Sequence, residues 1–340
     1  MLFNYFRDLF RRLRETLFLY SLNTLELKVK ALETLNIDTL NICIAGLELK
    51  NPTILASGIM GYSIGSFQRV IEGGAGAIIT KSIGLDARKG YSNPTIFQAK
   101  NGLINAMGLP NPGIDNYAPK ISHAKNVLSV PLIVSIYGFS IEGYVLTAQK
   151  AVEAGADAIE LNVSCPHVKK TGSEIGQNPE ILAKVVKAVK DTIQKPVIVK
   201  LSPNVTDILV VAKAAVDSGA DALTATNTIR AMAIDVETSQ PVLSNTFGGL
   251  SGPAVKPIVL RCVYELYEKL HVPIIGCGGI TDWRDAVEFL LAGASAIQIG
   301  TAIALRNPNV FNAINHGINE YLTKKRIGSV KDIVGMCHNK

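Results

Sequence analysis

The chain has 340 residues, 48% of them hydrophobic and 18% charged, a composition that supports a large apolar core and excludes a disordered protein. Its net charge of +6 is dispersed and only 6% of the residues are aromatic, which argues against a nucleic-acid-binding surface and fits an anionic ligand equally well. The five cysteines are odd in number, far apart and without a CxxC pair, so neither disulfides nor a metal site is predicted, and a cytoplasmic location is expected.

The first 40 residues are predicted to form a helical N-terminal extension. The segment MLFNYFRDLFRRLRETLFLY places its apolar residues on one helical stripe and its arginines mostly on other faces. It is interpreted as a helix packed on the following domain, a helix bound to a membrane surface, or an organellar targeting segment. No apolar stretch free of charge, proline and glycine reaches the roughly 20 residues that span a membrane, so a soluble protein is predicted.

A short pattern, G-A-x-A-aliphatic, occurs four times along the rest of the chain. Its copies are GAGAII from Gly74, GADAIE from Gly155, GADALT from Gly219 and GASAIQ from Gly293. Each copy ends a helical stretch and opens an apolar run. The glycine suits the end of a helix, the alanines allow close approach of helix and strand, and the run behind them is typical of a strand buried on both faces.

Counting all such apolar runs gives eight predicted strands. They are ILAS (54–57), AIITK (77–81), LIVSIY (132–137), AIELNV (158–163), VIVKLS (197–202), ALTAT (222–226), IIGCG (274–278) and AIQIGT (296–301). Segments of helical period, such as 179–193 and 207–219, lie between most of them. This alternation predicts a closed (β/α)8 TIM barrel over residues 41–325, followed by a C-terminal tail at 326–340. The alternative is an open doubly wound sheet, which the lack of GxGxxG after the first strand disfavours.

Two predicted connections are too long for plain crossovers. One runs for about fifty residues after Lys81, and the other extends from Asn227 to Gly252. Both follow the carboxyl ends of strands, which form the active-site face of a barrel. We therefore expect these loops to form the lid and walls of a substrate pocket.

Polar and small residues follow the predicted strands at this same face. Lys81 and Lys200 end strands that are otherwise buried, where an ammonium is costly without an anion, so an anion in the pocket is predicted. The turns GCGGI (276–280) and QIGTAI (298–303) place small residues where backbone N–H groups can approach a phosphate. Gly252 of GGLSGP is expected to add another amide.

Seven motifs then occur in an order and spacing compatible with a barrel. They are INAMGLPNPG (104–113), ELNVSCPHV (160–168), VIVKLSPN (197–204), TATNT (224–228), GGLSGPAVKP (248–257), GCGGI and QIGTAI. Together they resemble the catalytic FMN subunit of class I dihydroorotate dehydrogenases, most closely the NAD-linked class IB. The resemblance covers roughly residues 41 to 320.

The resemblance implies one FMN per chain and a pyrimidine lying against it. The residues implied to touch FMN are Ser57, Lys81, Ser82, Asn162, Lys200 and Thr226. Those implied to hold its phosphate are Gly252, Gly278, Gly279, Gly300 and Thr301. Those implied to contact the pyrimidine are Lys81, Asn105, Ala106, Met107, Gly108, Leu109, Asn162, His167, Asn227 and Thr228. Asparagines suit this ligand because each amide offers a donor and an acceptor to the imide edges of the ring.

Cys165 is the candidate catalytic residue. A buried free cysteine usually packs as a small apolar residue. The resemblance implies instead that Cys165 is the base that removes the C5 proton of dihydroorotate while the C6 hydride passes to FMN. A thiol has a reference pKa of ~8.5, and a lysine-rich site favours its anion. Lys200 would stabilise the charge of reduced FMN, whereas Cys277, inside strand seven, is predicted to pack.

The sequence departs from the family pattern at two positions. His167 stands where many class I members have an asparagine that touches the pyrimidine, and Ser135 stands near a strand end where an asparagine often touches the flavin. Parts of the same motifs also resemble the pyrimidine-reducing domain of dihydropyrimidine dehydrogenases. Three hypotheses follow: oxidation of (S)-dihydroorotate to orotate in de novo UMP biosynthesis, a dihydrouracil-type flavoenzyme, and a non-catalytic flavin- or phosphate-binding barrel.

The electron acceptor is a separate question, because this chain shows one flavin site, no nucleotide-binding GxGxxG and no cysteine cluster for iron and sulfur. The resemblance to class IB implies a partner subunit that carries FAD and a [2Fe–2S] cluster and passes electrons to NAD⁺, with the barrel as a homodimer. The alternatives are fumarate in the same pocket, as in class IA, or a membrane quinone reached through the N-terminal segment.

Overall fold

Eight parallel strands close into a barrel in the computed structural model, which describes residues 37–164 and 175–339. Each strand pairs with the next in the chain, and the last pairs with the first, Ile297 opposite Thr53. The strands are β1 Thr53–Leu55, β2 Ala77–Ile79, β3 Leu132–Ile136, β4 Ala158–Asn162, β5 Val197–Lys200, β6 Ala222–Ala225, β7 Ile274–Cys277 and β8 Ala296–Ile299. The predicted (β/α)8 barrel and its eight strands are confirmed, and the open sheet is excluded.

Helices connect the strands and surround the barrel. They are α1 Ile64–Glu72, α2 Ile114–Val127, α3 Ile141–Glu153, α4 Pro179–Thr192, α5 Ile208–Asp217, α6 Lys256–Lys269, α7 Trp283–Leu291, α8 Thr301–Arg306 and α9 Val310–Lys325. Side chains that accept hydrogen bonds from free backbone N–H groups fix several helix starts. Ser63, Ser140, Asn178, Asp207 and Asp282 do so before α1, α3, α4, α5 and α7.

The four repeated glycines stand just after helix ends. Gly74, Gly155, Gly219 and Gly293 have φ between 98° and 113°, a range that side chains with a Cβ rarely adopt. The alanines that follow are fully buried: Ala77, Ala158 and Ala222 begin barrel strands, and Ala75 lies just before one. The repeat therefore marks the point where a helix stops and the chain enters the barrel.

The two long connections meet above the barrel. Strands Ile96–Ala99 and Gly102–Asn105 come from the first connection, and Ile229–Ala231 and Gly248–Ser251 come from the second. They form one four-stranded antiparallel sheet in which Gly249 lies opposite Asn105. Two small pairs, Ala87–Arg88 with Asn111–Pro112 and Ile234–Asp235 with Gln240–Pro241, complete these loops.

A hairpin of Ile42–Ile44 and Leu47–Leu49 precedes the barrel, and the segment 326–339 follows it. Short 3₁₀ turns occupy Val330–Ile333 and Met336–His338, where Val330 and Ile333 are buried and His338 stacks on Tyr264 with ring centroids 3.9 Å apart. Of the predicted N-terminal helical extension, only Ile37–Leu40 is described, as a 3₁₀ turn. Residues 1–36 lie outside the described part of the chain. Within 37–164 and 175–339, no helix has the length and apolar character needed to cross a membrane.

Candidate active site

A cavity of about 1420 Å³ opens at the carboxyl ends of the barrel strands. Its floor is built from the ends of the strands, and its walls come from the four-stranded sheet described above. Pockets for one small ligand usually measure ~300–1,000 Å³. This cavity is larger, so it has room for two ligands side by side.

Nearly all the residues predicted from the resemblance line this one cavity. Those in the lining are Ser57, Lys81, Ser82, Asn105, Ala106, Met107, Gly108, Leu109, Asn162, Lys200, Thr226, Asn227, Thr228, Gly252, Gly278, Gly279, Gly300 and Thr301. Cys165 and His167 lie outside the described residues. The contacts of each residue with cofactor or substrate stay predictions.

Hydrogen bonds connect the polar side chains across the cavity floor. The Ser57 and Ser82 hydroxyl oxygens are 3.2 Å apart, and Asn162 Nδ2 donates to Ser82 Oγ over 3.0 Å. Asn227 Nδ2 donates to Asn162 Oδ1 over 3.0 Å, and Asn227 Oδ1 accepts from the Thr228 backbone N–H over 2.8 Å. Each amide therefore has a fixed orientation and keeps one N–H for a ligand.

Ser135 lies beneath this floor. It is fully buried on β3, its Oγ is 2.9 Å from Ser82 Oγ, and it is absent from the cavity lining. The sequence analysis identified Ser135 as a departure at a flavin-contacting position. In the structure its hydroxyl supports Ser82, which does line the cavity.

The two lysines at the strand ends have different surroundings. Lys81 is half-buried, burial lowers the pKa of its ammonium, and no ion pair reaches it from the residues that the structure describes. Lys200 is 5% exposed and lies 3.9 Å from a carboxylate oxygen of Glu160 inside the barrel. Of the two lysines, Lys81 is therefore the one that suits an anionic ligand, because the protein itself supplies a carboxylate for Lys200.

Glu160 belongs to a buried polar cluster that the sequence analysis missed. Its Oε2 accepts hydrogen bonds from Gln298 Nε2 over 2.7 Å and from Thr224 Oγ1 over 3.2 Å, and Gln298 Oε1 accepts from Lys200 Nζ over 2.8 Å. A signal was present in the sequence, since Glu160 and Gln298 interrupt the apolar runs of β4 and β8. The strand pattern alone did not indicate that the two side chains meet inside the barrel.

Cys277 was predicted to pack, and the structure adds a second role. It ends β7, lines the cavity and hydrogen-bonds with Lys200. Burial raises the pKa of its thiol, and the nearby Lys200 ammonium only partly opposes that rise. Cys277 is therefore a neutral thiol at pH 7.

The glycine turns leave backbone exposed at one end of the cavity. Gly252, Gly278 and Gly279 all have positive φ, and a Cβ at Gly279 would lie 2.7 Å from the Lys256 backbone nitrogen. The Thr301 hydroxyl donates to Ser251 Oγ over 2.8 Å beside them. Small residues, backbone amides and hydroxyls at this end fit a phosphate group.

The loop 105–109 forms a fixed wall. Tyr91 N donates to Met107 O over 3.1 Å, and Ala106 N donates to Thr95 O over 2.8 Å. Asn111 Nδ2 donates to Leu109 O over 2.9 Å. These bonds hold the loop in place, so its lining groups are positioned before a ligand arrives.

The ionised side chains in the described lining of the cavity are all positively charged. Among the described lining residues the ionised side chains are Lys81, Lys200, Arg88 and Arg230, and no Asp or Glu is present. Both arginines were missed from the sequence, and each stacks on an aromatic ring at the rim, Arg88 on Phe139 and Arg230 on Phe247. Such a lining favours anionic ligands.

The chain is similar to known proteins over most of its length. Residues 39–322 match the family model described as dihydroorotate dehydrogenase. A protein of Thermococcus kodakarensis named dihydroorotate dehydrogenase B (NAD(+)), catalytic subunit, is 54% identical over 298 residues, which cover 88% of this chain and 98% of that protein. Proteins with the same name are 53% identical in Pyrococcus abyssi and 47% identical in Methanothermobacter thermautotrophicus. Each matches 88% of this chain and 99% of its own length.

Proposed function

The chain belongs to the dihydroorotate dehydrogenase family, as a catalytic subunit of the NAD⁺-linked class IB type, and on that basis we propose how its cavity oxidises (S)-dihydroorotate to orotate. The reaction belongs to de novo pyrimidine biosynthesis. One observation carries the proposal: the cavity has room for a flavin and a pyrimidine together, and its described lining carries cationic and no acidic side chains. Orotate carries a carboxylate and FMN a phosphate, so both ligands match this charge.

The residues present fit FMN. Ser57, Ser82 and Asn162 offer hydroxyl and amide groups to the polar edge of a flavin, with Thr226 and Lys200 at neighbouring strand ends. When bound, FMN supplies the acceptor for the hydride that leaves C6 of dihydroorotate. The protein's part is to orient the two ligands and to exclude water from between them.

The phosphate of FMN would lie at the glycine turns. Gly252, Gly278, Gly279 and Gly300 line the cavity with backbone only, and Thr301 adds a hydroxyl. A Cβ would lie 2.9 Å from the Gly102 Cα at Gly252, 2.8 Å from a Val259 methyl at Gly278 and 2.7 Å from the Lys256 backbone nitrogen at Gly279, so these three positions favour glycine.

The pyrimidine would be held by amide groups and its carboxylate by positive charge. Asn162 and Asn227, already oriented by their mutual hydrogen bond, present N–H groups to the ring. The backbone of residues 107–109 and the Lys81 ammonium, which has no ion pair among the described residues, suit the carboxylate. This arrangement is the basis for preferring dihydroorotate, because dihydrouracil has no carboxylate to pair with Lys81.

Removal of the C5 proton requires a base, and we assign that role to Cys165. Its neighbour Ser164 lines the cavity, and Asn162, three residues before Cys165, contacts the polar floor. A thiolate is the effective form of such a base. In the described lining of the cavity all the ionised side chains are cationic, and positive charge favours the thiolate over the thiol. His167, two residues further on, is proposed to contact the pyrimidine.

Electrons leave this chain through a partner subunit with FAD and a [2Fe–2S] cluster, which reduces NAD⁺. The relatives' name, catalytic subunit, supports this arrangement. A homodimer of the barrel and a cytoplasmic location are also part of the proposal. They are supported by the resemblance to class IB and by the separated cysteines in the sequence.

The experiment compares the isolated chain with the native complex. Purified alone and loaded with FMN, the chain should transfer electrons from dihydroorotate to an artificial dye but not to NAD⁺. The complex isolated from the native cell should reduce NAD⁺. Two results together would overturn the assignment of the acceptor: no NAD⁺ reduction by the intact complex, and rapid quinone reduction that is abolished by deleting residues 1–40.

A further inference from the structure

We infer that Glu160 is a positioning residue that keeps the Lys200 ammonium charged and directed at the cavity floor. The inference rests on the proposed function, because Lys200 is there assigned to the flavin. Glu160 does not line the cavity and is fully buried behind Lys200. Its effect on a ligand would therefore pass through the neighbours that do line the cavity, which are Lys200, Gln298 and Cys277.

The geometry fixes the direction of every contact in the cluster. An ionised carboxylate only accepts hydrogen bonds, so Gln298 must present its amide N–H to Glu160 and its carbonyl oxygen to Lys200. Thr224 donates its hydroxyl to Glu160 and accepts from Gln298 Nε2 over 3.1 Å. The Lys200 ammonium only donates hydrogen bonds, so it requires the same orientation of Gln298.

Glu160 also supplies the negative charge that Lys200 needs. Its Oε1 has no hydrogen-bond partner within the described ranges and lies 3.9 Å from Lys200 Nζ. Burial lowers the pKa of the Lys200 ammonium, whereas charge attraction to Cys277, when that thiol is ionised, and to the Glu160 carboxylate raises it. Because Cys277 is a neutral thiol at pH 7, Glu160 is the anionic partner there.

Within the part of the chain that the structure describes, two titratable groups act on the Lys200 ammonium. Glu160 on β4 and Cys277 on β7 are the two that do, while β6 and β8 contribute Thr224 and Gln298, which do not titrate. The ammonium has three N–H groups. One bonds to Gln298 and one contacts Cys277, which leaves one for a ligand in the cavity.

The consequence concerns proton uptake. With Glu160 present, Lys200 is charged before the flavin receives electrons, and its positive charge is ready at the cavity floor. Without Glu160, burial would favour the neutral amine of Lys200 and lower the pH at which Lys200 loses its proton. Lys200 would then take up a proton only when negative charge appears next to it.

The first test measures unfolding of Glu160→Gln and the parent protein between pH 6.5 and 10. An unpaired buried lysine is neutral in the folded state and protonated in the unfolded state up to pH ~10.4, so stability rises with pH. The unfolding constant of the variant, relative to the parent, should fall about tenfold per pH unit in that range. A difference that does not change with pH would mean that Glu160 only packs, and would overturn the inference.

Two controls separate this effect from the loss of any ion pair. Asp191→Asn breaks the exposed Lys187–Asp191 pair and should show no such pH trend. The double variant Glu160→Gln/Lys200→Met removes both buried charges and should abolish the trend. If Glu160→Gln does not fold, the double variant should restore folding. Equal failure of both variants would also overturn the inference.

A second readout is the midpoint potential of the bound flavin against pH, by equilibration with dyes. In Glu160→Gln the potential should fall more steeply with pH than in the parent, because reduction now includes proton uptake by Lys200. Equal slopes would contradict the inference. Failure of the proposed function would be seen separately, because dihydroorotate would then not reduce the flavin of the parent protein. The unfolding measurement would still test the Glu160–Lys200 pair.

Discussion

The Asn227 side-chain amide donates a hydrogen bond to the Asn162 side-chain oxygen over 3.0 Å, across the floor of the cavity. This bond connects the end of β4 to the turn after β6. It sets the orientation of both amides before a ligand binds. Because Ser82 accepts from the other end of the Asn162 amide, neither group is free to rotate.

We predict that Asn227→Ala lowers kcat/KM for dihydroorotate by about tenfold or more. The substitution removes one hydrogen bond to the ring and releases Asn162, and each such bond is worth ~0.5–1.5 kcal/mol. Steady-state kinetics with an artificial dye would measure the loss. Asn116→Ala, which removes an exposed amide bonded to Pro112 O, is the control. Unchanged kinetics in Asn227→Ala would exclude Asn227 from the substrate site.

We predict that Cys165→Ala retains FMN but reduces it ~10²- to 10⁴-fold more slowly at neutral pH, the usual contribution of a general base. Cys165→Ser should be impaired and recover partly at high pH, because a hydroxyl is a weaker acid than a thiol. Stopped-flow absorbance of the flavin gives the rate. Cys337→Ser, at an exposed cysteine, is the matched control. A parental rate in Cys165→Ala would return Cys165 to a packing role.

Orotate affinity should fall as pH rises through the pKa of Lys81. Burial lowers that pKa, so Lys81 loses its charge at a lower pH than an exposed lysine, and an anionic ligand binds the charged form. Titration calorimetry between pH 6 and 10 in a Cys165→Ala background removes the contribution of the thiol. Lys81→Met should bind orotate at least tenfold more weakly and lose the pH dependence. The exposed Lys89→Met should match its background, and a pH dependence that survives in Lys81→Met would contradict the assignment.

Gly279→Ala should be purified with much less bound FMN. The residue has φ of 81°, and its new Cβ would lie 2.7 Å from the Lys256 backbone nitrogen, so the turn must shift away from a phosphate. The ratio of flavin to protein absorbance measures occupancy. Gly65→Ala in α1 is the control, because its Cβ would meet nothing within 4 Å. Equal occupancy in the two variants would remove Gly279 from the phosphate site.

The barrel could be predicted from the sequence because each of its strands and helices has a recognisable pattern within its own residues. The four G-A-x-A repeats and eight apolar runs report helix ends and buried strands one element at a time, and a closed barrel then brings all strand ends together. For this reason Lys81, Asn162 and Asn227, far apart in the chain, could be placed at one cavity without knowledge of their contacts.

The contacts that could not be predicted depend on strand register and on pairing between segments far apart in the chain. Glu160 and Lys200 face each other only because Asn162 of β4 lies beside Lys200 of β5 and the barrel curves behind them. The pairing of Asn105 with Gly249 joins segments from two loops that carry no shared pattern. Arg88 and Arg230 lie in these loops, at the rim of the cavity. In the sequence, nothing distinguished them from ordinary surface arginines.

The central claim is that this chain oxidises dihydroorotate in the cavity described. Anaerobic mixing of the FMN-loaded protein with dihydroorotate or with dihydrouracil, followed by flavin absorbance in a single turnover, tests it most directly. We predict that dihydroorotate rapidly bleaches the flavin absorbance and that dihydrouracil does so much more slowly, because only dihydroorotate has a carboxylate for Lys81. Equal rates, a preference for dihydrouracil, or a preparation that cannot be loaded with FMN would contradict it.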